Sequence, residues 1–202
     1  MDLLLGSNNI HKKKEIQSLF NEYLGNKYKI LVPSDLVENP IDVIEDGQTL
    51  EENACKKAKE YFETYKIPCF ADDTGLEIAA LNGMPGVNSA RFSGQHGNDF
   101  FNRMKVIKLL SETNTKDWSA QFRTIICFYD GKNKYLVEGI CKGKIIDQER
   151  GTKGFGYDSI FIPENFEKTF AEMELYEKNS ISHRYKAIMN FINLLKKIYS
   201  LD

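Results

Sequence analysis

Residues 3–24 read LLLGSNNIHKKKEIQSLFNEYL, and their pattern sets the fold class. Leu3-Leu4-Leu5 is a short apolar run of the kind buried in a sheet, and it stops at Gly6-Ser7-Asn8-Asn9, residue types that favour turns. Beyond the turn, Ile16, Leu19, Phe20, Tyr23 and Leu24 recur at helical spacing and mark one apolar face. Strand, polar turn and helix in that order open an α/β fold.

The alternation continues outward. Residues 28–32 read as a second strand, followed by an acid-rich loop running to Glu45-Asp46-Gly47-Gln48. Thr49 and Glu52 have capping-box spacing and open a helix that turns Ala54, Ala58, Tyr61, Phe62 and Tyr65 inward until Pro68 stops it. Cys69-Phe70-Ala71 is a short strand ending on Asp72-Asp73-Thr74-Gly75. The glycine-dense residues 82–97 read as a long ordered loop, with His96 exposed in it, and a helix with Phe101, Met104, Ile107 and Leu110 follows. Residues 120–129 and 134–146 form a hairpin through Asp130-Gly131. A second glycine-rich loop, 150–158, precedes a strand at 159–162, and a last helix with Ser182-His183-Arg184 at its start carries Ile188, Phe191, Ile192, Leu195 and Ile198.

A chain of 202 residues suits one domain over 1–202. Its 42% hydrophobic and 28% charged residues are ordinary for a folded protein. Basic and acidic residues number 27 and 29, a net charge of −2, so no broad positive field exists to hold a nucleic acid. No run of about 20 apolar residues occurs and Met1 to Gly6 is too short for a signal peptide, so a cytoplasmic protein without a membrane partner is expected. Cys55, Cys69, Cys127 and Cys141 form no Cys-x-x-Cys pair and read as reduced thiols.

Five polar clusters stand at strand ends, helix starts or glycine-rich loops, where α/β folds build sites. Ser7-Asn8-Asn9-Ile10-His11-Lys12 could cradle a phosphate on helix N–H groups and a lysine, or Ser7 or Asn8 could simply cap the helix. The spacing is not that of a Walker loop. Asp72 and Asp73 repel each other unless a cation or hydrogen-bond donors sit there, and in an extended chain they point to opposite faces. They read either as magnesium ligands, with Glu45 in the loop as a further carboxylate, or as a turn that caps its own backbone. Phe155 and Tyr157, among the loop glycines, offer a stacking face for a flat base or pack under their own loop. His183 and Arg184 are a donor pair without a Ser or Cys nucleophile beside them in sequence.

Ser7-x-Asn9-x-x-Lys12-x-x-Glu15, Thr49-Leu50-Glu51-Glu52-Asn53-Ala54 with Lys57-Ala58, and Ala71-Asp72-Asp73-Thr74-Gly75-Leu76-Glu77 occur in this order. Gly154-Phe155-Gly156-Tyr157-Asp158 and Lys178-Asn179-x-Ile181-Ser182-His183-Arg184 complete the series. Together they resemble the inosine triphosphate pyrophosphatase family, also called the non-standard purine NTP pyrophosphatase or Ham1-like family, nearly end to end. Thr74 stands where that family usually has Ser, and Ser159 where Pro commonly follows.

The resemblance implies an elongated α/β fold around a mixed, twisted sheet, with two lobes about a nucleotide cleft, and a homodimer. It implies Mg²⁺-dependent hydrolysis of ITP, dITP and XTP to the monophosphate and pyrophosphate. Asp73 is then the expected base, with Glu45, Asp73 and Asp72 as metal ligands. Substrate contacts are expected from Ser7, Asn8, Asn9, Ile10, His11, Lys12, Lys57, Thr74, Phe155, Gly156, Tyr157, Asp158, Lys178, His183 and Arg184. The nearest rivals are a Maf-like pyrophosphatase, against which His183-Arg184 argues, and a nucleotide sensor without catalysis, which would have no use for the acidic pair.

Overall fold

A computed structural model describes residues 1–94 and 97–200 of the chain. The expectation for His96 lies outside the described residues. The elements are β1 (Asp2–Leu5), α1 (Ile10–Leu24), β2 (Lys29–Leu31), α2 (Leu50–Tyr65), β3 (Cys69–Ile78), β4 (Pro85–Gly86) and α3 (Asp99–Ser111). They continue with β5 (Ser119–Tyr129), β6 (Lys134–Ile145), β7 (Phe161–Pro163), α4 (Leu175–Ile181) and α5 (His183–Ile198). The strand order is β2-β1-β3-β5-β6-β7, with β4 paired to β3. β1 runs parallel to β2 and to β3, whereas β3–β4 and β6–β7 are antiparallel, which makes the sheet mixed. None of the helices among the described residues is long and apolar enough to cross a membrane.

The chain divides into two compact units, one of Met1–Asp73, Ile125–Glu138 and the segment from Ala187 onward, the other of Thr74–Thr124 and Gly139–Lys186. In the first, the strand-turn-helix of residues 3–24 buries Leu3, Leu5, Ile16, Phe20 and Leu24 against Phe70, Phe128, Ile188 and Phe191. Phe191 is fully buried, and its ring centroid lies 4.9 Å from Phe70, 5.5 Å from Phe128 and 6.0 Å from Phe20. In the second unit Phe122, Phe161 and Phe170 pack with Leu76, Ile78, Val106 and Leu110.

Three local readings change. β3 continues to Ile78 instead of stopping at Ala71, so Asp72 and Asp73 lie inside a strand. The physical reason is a period of two that resumes beyond the acids: Leu76 and Ile78 are fully buried, and Leu76 pairs with Gly86 of β4. Residues 158–160 form a 3-10 turn, so the strand expected over 159–162 begins only at Phe161. A seven-residue helix, α4, precedes α5; it buries none of its residues, so no apolar periodicity announced it.

Removing the Phe191 ring empties the centre of the first unit's aromatic cluster. Phe191→Ala is expected to cost about 3–5 kcal/mol, read from the urea midpoint at unchanged slope. A loss below about 1 kcal/mol would contradict this packing.

Candidate functional site

The first unit's site grows from strand register. β1 and β3 pair in parallel with Leu5 opposite Phe70, so the turn leaving β1 and the acids two and three residues beyond Phe70 emerge at the same edge. Asn9 caps α1, its Oδ1 accepting from the N–H of His11 at 2.9 Å and of Lys12 at 3.1 Å. The cap is therefore Asn9, not Ser7 or Asn8. Ser7 Oγ accepts from Asn9 N–H at 3.2 Å, and Asn8 Oδ1 from Ser34 N–H at 3.2 Å. The cap thus takes up the His11 and Lys12 amides, while the side chains of Ile10 and His11 stay exposed. Within the first turn of the helix, Lys12 Nζ donates to both oxygens of Asp72, at 2.7 and 2.8 Å.

α2 supplies the other side of the cluster. Thr49 Oγ1 accepts from Glu52 N–H at 3.1 Å, while Glu52 reaches back to Gln48 N–H at 2.7 Å, so the helix starts where the capping spacing places it. Asn53 and Lys57, one turn apart, then share a face. Asn53 is buried; its Nδ2 donates to Asp73 Oδ2 at 2.9 Å, and its Oδ1 accepts from Gly47 N–H at 2.8 Å. A Cβ on Gly47 would lie 2.6 Å from that Oδ1, so the close approach requires glycine. Lys57 Nζ donates to Glu45 Oε1 and to the Asp72 carbonyl, both at 2.6 Å. Burial pulls the Lys57 ammonium down, but the charges of Asp72, Glu45 and Asp73 outweigh it and hold its pKa above the ordinary lysine value.

Strand parity thus delivers the adjacent acids to different partners, Asp72 to Lys12 and Asp73 to Asn53. Glu45, Lys57, Lys12 and the acidic pair are gathered into one charged cluster. Sequence reasoning gave Asn53 no role of its own. The signal available was a polar residue one turn before Lys57 on a helix face that otherwise turns inward.

The second unit holds the rest. Thr74 Oγ1 is bonded to Thr124 Oγ1 at 2.8 Å. Asp158 is buried, and its Oδ2 accepts from Phe155 N–H at 3.0 Å and from Lys178 Nζ at 2.5 Å. The Phe155 ring is 65% exposed, with Lys178 Nζ 5.2 Å and Arg184 Cζ 5.9 Å from its centroid. Tyr157 is buried instead and donates its hydroxyl to Ser89 O at 2.7 Å; burial pushes the phenol pKa well up. Between the two aromatic readings of the sequence, Phe155 offers the open face and Tyr157 packs. His183 is buried too, stacked on Phe122 with centroids 4.7 Å apart. Among the described residues Arg184 Nε is buried with no hydrogen-bond partner.

The sequence pattern of the Ham1 family matches residues 3–194. The chain belongs to the Ham1 family. A dITP/XTP pyrophosphatase of Flavobacterium johnsoniae is 46% identical over 195 residues, 96% of this chain and 98% of that protein. Another, from Christiangramia forsetii, is 43% identical and covers 98% of this chain and 100% of its own length. The solved structure of a HAM1 protein from Coxiella burnetii matches with a TM-score of 0.90 at 34% identity, over 98% of this chain and 99% of that one. The Staphylococcus aureus Ham1 protein gives 0.87 at the same identity and coverage. The Ham1 match thus spans both the charged cluster and the Phe155 loop.

Because the folded Lys57 binds its proton more tightly than a free lysine, the stability it contributes is fully present below about pH 10 and is lost as pH rises through the raised value. Urea unfolding of the wild type and Lys57→Met between pH 9 and pH 11.5 is expected to show a difference that shrinks over the upper part of that range. A constant difference would contradict the charge cluster.

Proposed function

We propose that this Ham1 protein hydrolyses non-standard purine nucleoside triphosphates, ITP, dITP and XTP, to the nucleoside monophosphate and pyrophosphate. The observation that carries the reading is the convergence of Lys12 and Lys57 on Asp72, with Glu45 and Asp73 in the same cluster. The names of the full-length relatives support it.

A triphosphate concentrates negative charge, so its hydrolysis depends on charge neutralisation and on a positioned water. Lys12 and Lys57 each carry an ammonium with three donors and can turn from carboxylate to phosphate oxygens. Asn53 fixes the carboxylate of Asp73, which orients the attacking water and takes its proton. The donor set suits magnesium, a hard cation that takes carboxylate oxygens. Glu45 and Asp73 would hold it; both oxygens of Asp72 are already on Lys12, so Asp72 is better cast as the lysine's partner. When bound, such an ion neutralises phosphate charge and makes a coordinated water more acidic.

Phe155 would stack on the base, with Lys178 and Arg184 at its edge. A 6-oxo purine presents an acceptor where adenine presents an amino donor, and the buried Arg184 Nε is a donor in need of an acceptor. His183 would act from beneath, held by its stacking on Phe122. We extend the reading to a homodimer, for which Phe100 and Phe101, both half exposed, offer apolar surface, and to a reducing cytoplasmic setting, which suits four free thiols.

Incubation with Mg²⁺ and ITP, XTP, GTP or ATP is expected to release pyrophosphate, fastest from ITP and XTP; orthophosphate as the first product would overturn the reading. Asp73→Asn is expected to lower kcat by about 10²–10⁴-fold with an unchanged circular dichroism spectrum. Retention of a tenth of the wild-type rate would remove Asp73 from the base role.

A further inference from the structure

The geometry points to Asp99 and Arg103 as positioning residues that set the orientation of Phe155 by gripping the backbone on both sides of Gly156. The inference rests on the reading that Phe155 is the stacking platform for the base. Asp99 is the first residue of α3 and Arg103 stands one turn later, so the two side chains share a helix face. Asp99 Oδ2 accepts from Gly156 N–H at 2.7 Å, holding the peptide that joins Phe155 to Gly156. Arg103 Nη1 donates to Gly156 O at 2.8 Å, holding the next peptide.

The same guanidinium ties down the loop's flanks. Arg103 Nη2 lies 3.0 Å from Glu149 Oε2, and that oxygen also accepts from Ser159 Oγ at 3.0 Å. Residues just before and just after the glycine-rich loop are thus referred to one side chain of α3.

The physical need for such a grip follows from two observations. Phe155 is 65% exposed, so packing around its ring does little to fix it. Gly156 has φ of +62°, and a glycine leaves the orientation of its flanking peptides open unless something outside the loop selects one. Asp99 and Arg103 make that selection, in concert with the Phe155 N–H to Asp158 bond. A platform held in one orientation presents its face without an ordering cost at binding.

The test uses the full-length protein with ITP and Mg²⁺. Asp99→Ala is expected to raise KM about threefold to tenfold, the worth of one hydrogen bond, with kcat within about twofold of wild type. Asp99→Asn, which keeps an acceptor oxygen for Gly156 N–H, should restore KM. Because Asp99 acts through Phe155, Asp99→Ala should add no further KM change in a Phe155→Ala background. Should Asp99→Ala not fold, Arg103→Lys, which keeps a donor but drops the link to Glu149, is read in the same two backgrounds for the same rise and the same loss of effect. Unchanged KM in a folded variant, a fall confined to kcat, or an effect that simply adds to that of Phe155→Ala would overturn the inference. A wild-type enzyme that releases no pyrophosphate from ITP would instead overturn the reading on which it rests.

Discussion

Asp72 and Asp73 are adjacent carboxylates in the interior of a strand, and the first unit's site is arranged around that fact. Two neighbouring negative charges in partly desolvated surroundings need compensation close at hand. The strand separates them, since successive side chains leave opposite faces. Asp72 receives the Lys12 ammonium on both oxygens and the Lys57 ammonium on its carbonyl, while Asp73 is tethered by a neutral amide. The difference matters chemically. Asp72 shares its charge with a bonded lysine, whereas Asp73 is oriented by asparagine and acts on Lys57 through its charge. One dipeptide therefore supplies an anchor for the lysines and, on the proposed function, the base.

How much of this the sequence disclosed varies with the physics of each signal. The opening strand, turn and helix were legible because apolar periodicity is strong there, and the same holds for α2 and α5; α3 was legible only as a helix, since Phe101 of its expected apolar series stands exposed while Asn102, Val106 and Leu110 are buried. The extension of β3 was hidden because the acidic pair interrupts the apolar alternation just where the strand continues. α4 was hidden for the opposite reason, being a short helix that fully buries no apolar residue. Of the site, the clusters at strand ends were legible as places. Their partners were not: neither Asn53 on Asp73 nor Asp99 and Arg103 on Gly156 follows from local spacing, since each bond joins residues 20 or more apart in sequence.

The second unit answers a different demand. On the proposed function Phe155 must stay open to solvent to receive a base, and an open ring cannot be locked by its own packing. The structure moves the locking into the loop backbone and into buried ions beneath it. The Lys178–Asp158 pair has side chains only 15% and 6% exposed. A pair buried so deeply returns little net stability, yet losing either partner strands a charge at a cost of about 3–5 kcal/mol. That asymmetry favours specificity over stability: the pair keeps Asp158 on the Phe155 amide and Lys178 beside the ring.

The two units therefore solve opposite problems with the same means. Around Asp72 the difficulty is excess charge, and lysines with carboxylate partners hold it, ready on the proposed function for exchange with phosphate oxygens. Around Phe155 the difficulty is excess freedom, and charged side chains remove it by bonding to backbone and to one another. On the proposed function the Lys12–Asp72 pair must break for substrate to enter, which suits an ammonium whose side chain stays 21% exposed. In the second unit the pairs must hold, which suits Lys178, bonded to a carboxylate whose side chain is only 6% exposed. Burial of the ammonium alone does not separate the two roles, since Lys57 is 12% exposed and Lys178 15%; the partners differ, Lys178 resting on a carboxylate that is itself 6% exposed and Lys57 on one that is 39% exposed.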